Sequence, residues 1–309
     1  MDATPPRPGM EAPQLRPLGV GDIVDRVFAL YRSRPLLFFA VSAVPYLVLF
    51  LLLTGMAIAF ASTLLAFAGP LADLAAGRAP DFARADLRAA IVAAVVLGVV
   101  GAVLAVVILS VQSAALIAAT SSQYLRRPLA AAEVFREGAR AAPRIIGASL
   151  LVFLIVLVLW VALVIVAVLA NQAILFALGV LLGLAATVYI FASTLVAPVV
   201  ATLEHAGPVT ALQRSWWLSH GSRWRIIGLQ LLLLVLNAVI GALLSALLLG
   251  SLISDPTART IVQQAANLIT NIAWAPVQWG TFAVLYYDLR VRREAFDLQL
   301  AAEALPREP

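Results

Sequence analysis

The chain contains no cysteine and no lysine, and only two histidines occur among its 309 residues. Without cysteine it has no disulfide, no thiolate metal ligand and no cysteine nucleophile. Charged residues make up 12% of the chain and hydrophobic residues 63%, whereas an average soluble domain carries roughly 25% charged residues. This composition indicates a protein that resides in a membrane.

Several long stretches of the chain have no charged residue at all. The longest lies between Arg144 and Glu204, and its one strongly polar break is Asn171 followed by Gln172. One span takes roughly 20 apolar residues, so this stretch predicts two spans joined at the break. Each span must be helical, because lipid offers no water to the backbone groups. We therefore predict an all-α integral membrane protein with six spans, at residues 36–62, 89–120, 145–169, 174–200, 226–250 and 260–287.

All 21 basic residues are arginines, and they are distributed unevenly about these spans. An even number of spans places both tails on one side, together with loops 121–144 and 204–225. These four segments hold 17 arginines, and the opposite side holds four. Because cytoplasmic segments are enriched in arginine and lysine, both termini are predicted to be cytoplasmic. The basic residues follow the sides of the membrane, so the net charge of +5 does not indicate a nucleic-acid partner.

The tetrapeptide RIIG occurs at 144–147 and again at 225–228, each time opening an apolar stretch. Each odd-numbered span also follows a cytoplasmic segment of about 15 residues with helical periodicity. We predict a unit of one interfacial amphipathic helix and one transmembrane hairpin, used three times in parallel orientation. The repeats cover about 17–120, 128–203 and 207–287 within a membrane domain of 17–300, between tails 1–16 and 301–309 that are expected to be disordered.

The interfacial segments each have an apolar and a charged face. In segment 21–35, the apolar face consists of Ile23, Val24, Val27, Phe28 and Tyr31. The second and third segments are expected to end at Gly138 and Gly221, since glycine is favoured just past a helix end. Helices of this kind lie in the headgroup layer of a membrane and brace the bundle.

Arginines of these segments are the candidate contacts with anionic lipid: Arg26, Arg32, Arg136, Arg140, Arg214, Arg223 and Arg225. The favoured interpretation is structural, with the arginines directed outward from anchoring helices. The alternative is a docking surface for anionic lipid or for an unidentified membrane or cytoplasmic partner. Membrane lipids are the expected partners under both interpretations.

The sixth span carries polar residues at steps of four and three, which places them on one helix face. These residues are Thr260, Gln264, Asn267, Asn271, Trp274, Gln278 and Thr281. Carboxamides are poorly tolerated against lipid, so this face is expected to point into the bundle or into a wet cavity. Hydrogen bonding to the fifth span, with Asn237 as the partner, is favoured over the lining of a pocket. Pro276 frees a carbonyl near Ile272, which favours a cavity.

Three segments carry a resemblance to a known family: LRPLGVGDIVDRVFALYR (15–32), GPVTALQRSWWLSHGSRWRIIG (207–228) and LYYDLRVRREAFDLQL (285–300). The chain resembles the glycerophosphoryl diester phosphodiesterase membrane-domain family over about 15–300, and more closely its stand-alone bacterial members. The resemblance implies a multi-spanning protein of the bacterial cytoplasmic membrane. Such a phosphodiesterase barrel needs about 250 residues of its own, so this chain is expected to lack that domain of the family.

Residues 145–203, 226–254 and 260–287 contain no ionisable acid, histidine or arginine. Metal-assisted hydrolysis needs clustered carboxylates and histidines, and proton-coupled transport normally places ionisable groups in the membrane. We therefore expect a non-enzymatic membrane protein without a cofactor, a scaffold or accessory in lipid or envelope processes. The alternative is a transporter or permease-like component with a polar pathway at spans five and six.

Overall fold

The computed structural model describes residues 17–65, 68–78, 87–127, 129–170, 172–249 and 255–299, and the predicted disordered tails lie outside these ranges. Within them the chain forms ten helices and no strand, which confirms the all-α class. The helices are α1 (Val20–Ser33), α2 (Pro35–Leu65), α3 (Ala68–Ala75), α4 (Leu87–Tyr124), α5 (Ala131–Ala170), α6 (Ala173–Thr194), α7 (Ala197–Leu203), α8 (Pro208–Ser219), α9 (Arg223–Leu249) and α10 (Pro256–Glu294).

Five candidate membrane spans are long and apolar enough to cross a bilayer: Pro35–Ala61, Ile91–Tyr124, Ala131–Leu169, Ile174–Leu203 and Arg223–Leu247. They contain or overlap the first five predicted spans. Large apolar side chains cover their outer surface, and Leu169 and Leu247 are each 79% exposed. Because a soluble protein rarely leaves so much apolar surface uncovered, the protein is membrane-embedded. The helix α10 is not among the five, since carboxamides lower its hydropathy, and the sixth span stays a prediction.

The helices pack as neighbouring hairpins, with α2 against α4, α5 against α6, and α9 against α10. The helix α5 ends at Ala170 and α6 begins at Ala173, on either side of the predicted break. Both ends of the described chain meet at one end of the bundle, because the backbone N–H of Leu18 donates to Asp288. This end also holds the start of α9 and the whole of α8, and we call it the arginine-rich end.

The second half of α10 is the central helix of the bundle. From Phe282 to Leu289 every residue is buried, and this stretch packs against α1, α4 and α8. Polar groups of this buried stretch have partners inside the protein: the Tyr287 hydroxyl, for example, lies 2.5 Å from the Ser121 hydroxyl. Because protein surrounds this part of α10, it needs no lipid-compatible face.

The carbonyl that Pro276 releases is satisfied by a neighbouring helix. The Ser42 hydroxyl of α2 donates to the carbonyl of Ile272 at 2.7 Å, and the Gln112 side chain of α4 donates to the backbone carbonyl of Ser42 at 3.1 Å. Ser42 and Gln112 are both buried. Pro276 was expected to favour a cavity, but the freed acceptor instead joins α2, α4 and α10.

The first and third interfacial segments form separate helices, as the repeat predicts. The helix α1 ends at Ser33, and Arg34 leaves the helical conformation because Pro35 follows it. The helix α8 has Pro208 in its first turn, and the chain turns into α9 at Gly221, where φ is +80°. That left-handed conformation is one that glycine adopts without strain.

The second segment differs from this prediction, because α5 is continuous over 40 residues. At 1.5 Å per residue the helix is roughly 60 Å long, about twice the hydrocarbon thickness. Pro143 lies inside the helix without ending it, and no glycine of α5 adopts a left-handed conformation. Alanines of high helix propensity lead into the span. Gly138 does not end the segment; it lies buried where α5 crosses α4.

The apolar face of α1 packs against the bundle. Ile23, Val24 and Val27 are buried in the core that includes Leu285 and Leu289 of α10. The charged face, with Asp25 and Arg26, is exposed as the periodicity predicts. The periodicity therefore identified the buried face of α1, and the packing of α10 supplied its partner.

Candidate functional site

Asp288 is the centre of the arginine-rich end. Its side chain is fully buried, and its Oδ2 accepts from Arg225 Nη1 at 2.5 Å and from Arg292 Nε at 3.0 Å. Its Oδ1 accepts from the backbone N–H of Leu18 at 2.7 Å, and both arginines also donate to the Leu18 carbonyl. One carboxylate thus joins the first described residues, the start of α9 and the end of α10.

A second network lies beside it around Glu204. Arg214 Nε lies 3.2 Å from a Glu204 oxygen, and its guanidinium also pairs with Glu294. The Tyr286 hydroxyl donates to Glu204 at 2.8 Å, and Arg290 Nε donates to Glu294 at 2.8 Å. Burial lowers the pKa of Arg290, but the hydrogen bonds and charge interactions with Glu294 and Tyr286 together outweigh burial, so this pKa lies above its ordinary value.

The seven arginines expected to contact lipid fall into two groups. Arg214 and Arg225 are partly buried in the networks above, and Arg140 pairs with Glu137 at 2.9 Å on α5. The partly buried positions of Arg214 and Arg225 differ from the outward arrangement expected from the sequence, whereas Arg140 remains exposed beside Glu137.

Arg26, Arg32 and Arg136 are exposed, and in the described part of the chain none of them forms an ion pair. Arg26 lies over the ring of Tyr124, 5.7 Å from its centroid. Arg223 is partly buried, stacks on two aromatic rings and likewise forms no ion pair with a described residue. Of the seven candidate arginines, these four therefore have no carboxylate partner in the described ranges.

The polar stripe on α10 divides into an exposed and a buried part. Gln264, Asn267 and Asn271 are exposed, whereas Trp274 is buried and Gln278 is half-buried. Asn271 Nδ2 donates to the backbone carbonyl of Asn267 at 2.8 Å, within its own helix. This arrangement differs from the expected inward face. The stripe therefore runs from an exposed part of α10, up to Asn271, into a buried part that begins at Trp274.

The contact between α9 and α10 uses a different pair from the one expected. Gln263 Nε2 donates to Ser245 Oγ of α9 at 3.2 Å and to Asn267 Oδ1 at 3.3 Å. Asn237, the expected partner of Asn271, makes no hydrogen bond with the described residues. Gln263 lies one position before Gln264, so the stripe that steps from Thr260 to Gln264 passes over it.

Asn237 and Gln278 instead line a cavity between α6, α9 and α10. Its volume is about 360 Å³, and its polar lining consists of Gln230, Asn237, Gln278 and Trp274. The remaining walls are apolar residues such as Phe191 and Leu233. Within the described residues no hydrogen bond satisfies the three carboxamides. Groups of this kind at membrane depth need water or a polar ligand, because an unsatisfied amide in lipid is costly.

Neither of the two histidines belongs to a metal-binding cluster among the described residues. His205 Nε2 lies 3.7 Å from Glu137 Oε2, and the His220 carbonyl accepts from Arg293. No group of three or more histidine, aspartate or glutamate side chains suited to a metal is found among the described residues. Glu204, which precedes His205, is engaged by Arg214 and Tyr286.

Asp288, Ser42 and Gln112 are structurally important residues that the sequence analysis did not single out. Asp288 has a signal in the sequence, because it is the first charged residue after the apolar run 260–287 and stands among arginines. Ser42 and Gln112 have only an indirect one, namely the carbonyl that Pro276 must release.

No family model, curated protein or solved structure matches this chain. The resemblance to the phosphodiesterase membrane-domain family therefore stays a prediction. Function has to be inferred from the arginine-rich end and the carboxamide cavity.

Proposed function

We propose that the chain is a non-enzymatic, six-span protein of the bacterial cytoplasmic membrane that acts as a scaffold or accessory in lipid or envelope processes. Both termini are cytoplasmic in this proposal, and α10 is the sixth span. The arginine-rich end is its working surface. The proposal agrees with the resemblance to stand-alone members of the phosphodiesterase membrane-domain family.

The observation that supports this proposal most strongly is the network of ion pairs around Asp288 and Glu204. It joins α8, α9 and α10 to the residues before α1, so that helices far apart in the chain present one rigid surface. Arg26, Arg32 and Arg136 remain unpaired on that surface. A fixed basic layer at the membrane face attracts the anionic headgroups of the cytoplasmic leaflet.

The variant Arg26→Gln/Arg32→Gln/Arg136→Gln tests the proposal. Each arginine near an anionic surface contributes about 1 kcal/mol, so the triple change should weaken retention of phosphatidylglycerol by on the order of tenfold or more. Native mass spectrometry of protein titrated with this lipid measures the bound fraction.

The charge-matched control is Arg78→Gln/Arg88→Gln/Arg259→Gln, which removes three arginines from the predicted opposite side. It should retain the lipid as the parent does. Equal retention by both triple variants and the parent would remove anionic lipid from the proposal.

The proposed topology predicts the labelling of single cysteines, and the absence of native cysteine makes the experiment direct. A cysteine at Ala139, exposed on α5, should react with a membrane-impermeant maleimide only from the cytoplasmic side. A cysteine at Ala76, exposed after α3, should react only from outside. Labelling of Ala139→Cys in intact cells, where only the outer side is accessible, would contradict the six-span arrangement.

A transporter or permease-like function is the second candidate, and the carboxamide cavity favours it. The test compares Asn237→Cys, in the cavity lining, with Val235→Cys, on the exposed apolar surface of α9. A polar pathway predicts that a hydrophilic thiol reagent modifies Asn237→Cys in membranes and leaves Val235→Cys unmodified. If Asn237→Cys is as unreactive as Val235→Cys, the cavity is closed to the aqueous phase and this function is rejected.

A further inference from the structure

A groove between α6 and α9 runs along the bundle surface towards the arginine-rich end. Its volume is about 670 Å³, within the range of roughly 300–1,000 Å³ that is usual for small-molecule sites. Leu181, Leu184 and Val188 of α6 and Ile227 of α9 form its apolar walls. The three α6 residues are also exposed on the surface of the bundle. The groove is therefore open to lipid along its side.

Arg223 lies at the end of this groove, in a fixed conformation. Its Nε donates to Ser193 Oγ at 2.8 Å, and its guanidinium carbon lies 4.5 Å from the centroid of the Tyr189 ring and 4.9 Å from that of Trp216. Two aromatic faces and one hydroxyl orient the guanidinium, but none of them carries a negative charge. Cation–π contact contributes orientation and leaves the net charge in place.

The charge of Arg223 is not neutralised by any carboxylate in the described ranges. Its Nη2 is buried and has no hydrogen-bond acceptor there. Arg225, two residues along the same helix, shows the opposite arrangement, because Asp288 and the Leu18 carbonyl satisfy it. A partly buried, unpaired guanidinium is costly. Because Arg223 lines the groove, an anion bound there would provide the missing counter-charge.

The depth of this site is indicated by Trp224, which lines the groove beside Arg223 and is 86% exposed. Exposed tryptophans of membrane proteins gather at the level of the lipid headgroups. An anion at Arg223 would then lie at phosphate depth, and the apolar walls would extend from it into the hydrocarbon layer. Glycerophospholipid has this combination of a phosphate and a chain.

We propose that the groove between α6 and α9 binds one glycerophospholipid, with the phosphate on Arg223 and one acyl chain along Leu181, Leu184 and Val188. This proposal rests on the proposed role in lipid processes, but it concerns residues separate from Arg26, Arg32 and Arg136. The Arg223 guanidinium supplies the charge-assisted hydrogen bond, and the apolar walls contact the acyl chain, so an anion without a chain should bind more weakly.

The experiment is a native mass spectrometry titration of the purified full chain with phosphatidylglycerol, diacylglycerol and inorganic phosphate. Arg223→Gln should weaken phosphatidylglycerol binding by roughly tenfold to a hundredfold, the range for a hydrogen bond to a charged group. Arg136→Gln, which removes an exposed arginine elsewhere on the same end, should leave this one tight site unchanged. Diacylglycerol should bind the parent and Arg223→Gln equally.

A steric variant tests the groove separately from the charge. Ala185→Trp fills the groove and should abolish tight binding. Leu182→Trp, an exposed position on α6 outside the lining, should not. Melting temperatures without added lipid identify any variant that fails to fold. If a tryptophan variant does not fold, the comparison of Arg223→Gln with Arg136→Gln tests the proposal.

Equal phosphatidylglycerol affinity of the parent and Arg223→Gln would overturn the proposal, as would tight binding by Ala185→Trp. Tight binding of inorganic phosphate, as strong as that of phosphatidylglycerol, would show that the site takes a free anion and not a lipid. A dimer in the spectrum that Ala185→Trp dissociates would show that a second copy covers the groove. If Arg26→Gln/Arg32→Gln/Arg136→Gln loses lipid and Arg223→Gln does not, the proposed function stands and only the groove site is rejected.

Discussion

Replacing Asp288 with alanine is expected to lower the free energy of unfolding by about 3–5 kcal/mol, the effect of removing one partner from a buried ion pair. The carboxylate is fully buried and accepts from Arg225, Arg292 and the backbone N–H of Leu18. Its removal leaves two partly buried guanidinium groups without a counter-charge. Chemical denaturation in detergent micelles, followed by circular dichroism, measures the change.

The control for this prediction is Asp25→Ala, which removes an exposed aspartate from α1 on the same end of the protein. It should change the free energy of unfolding by less than about 0.5 kcal/mol, as surface substitutions usually do. The double variant Asp288→Asn/Arg225→Gln should lose less than the sum of the two single variants, because the second change removes a partner that is already lost. Additive losses would show that the two residues act independently.

Gly138→Ala is expected to lower the free energy of unfolding by about 1–3 kcal/mol, the usual effect of overpacking a tight core. A methyl group at this position would lie 2.6 Å from the carbonyl oxygen of Val111 and 3.0 Å from the Cβ of Ala115, both in α4. A backbone oxygen cannot move aside as the end of a flexible side chain can. The helices α4 and α5 would have to separate, and Gly138→Leu should prevent folding.

Gly228→Ala, within α9, is the matched control, because nothing lies within 4 Å of the added methyl group. It should leave stability unchanged or raise it by up to about 1 kcal/mol, since alanine is the better helix former. Thermal melting of both variants in the same detergent makes the comparison. A Gly138→Ala variant as stable as Gly228→Ala would show that α4 and α5 are less closely packed than the structure shows.

Local properties of the sequence were enough to predict the membrane helices. The apolar runs predicted six spans, and five of them coincide with helices that are long and apolar enough to cross a membrane. The polar pair at 171 and 172 predicted the break between α5 and α6. The alternation of apolar and charged residues in 21–35 identified the face of α1 that is buried. Hydropathy and helical periodicity depend only on residues close together in the chain, so they can be read without knowledge of the fold.

The candidate site was predicted less well. The sequence brought attention to Asn237 and Gln278, and the structure places both in one cavity, but with Gln230 rather than with Asn267 and Asn271. The sequence placed seven arginines at the cytoplasmic side and could not separate Arg225, which Asp288 neutralises, from Arg223, which no described carboxylate pairs with. The two differ only in which residues from distant helices lie beside them.

The sequence by itself therefore determined that this protein is helical and membrane-embedded, because burying apolar runs in lipid and satisfying their backbone are local requirements. Tertiary structure alone decided that α5 runs unbroken past Gly138, that Ser42 satisfies the carbonyl freed by Pro276, and that α10 is central. Each of these depends on a group from a distant part of the chain, placed within a few ångströms by packing. Hydrogen bonds and close contacts act only at that range, so a periodic pattern along one helix carries no record of them.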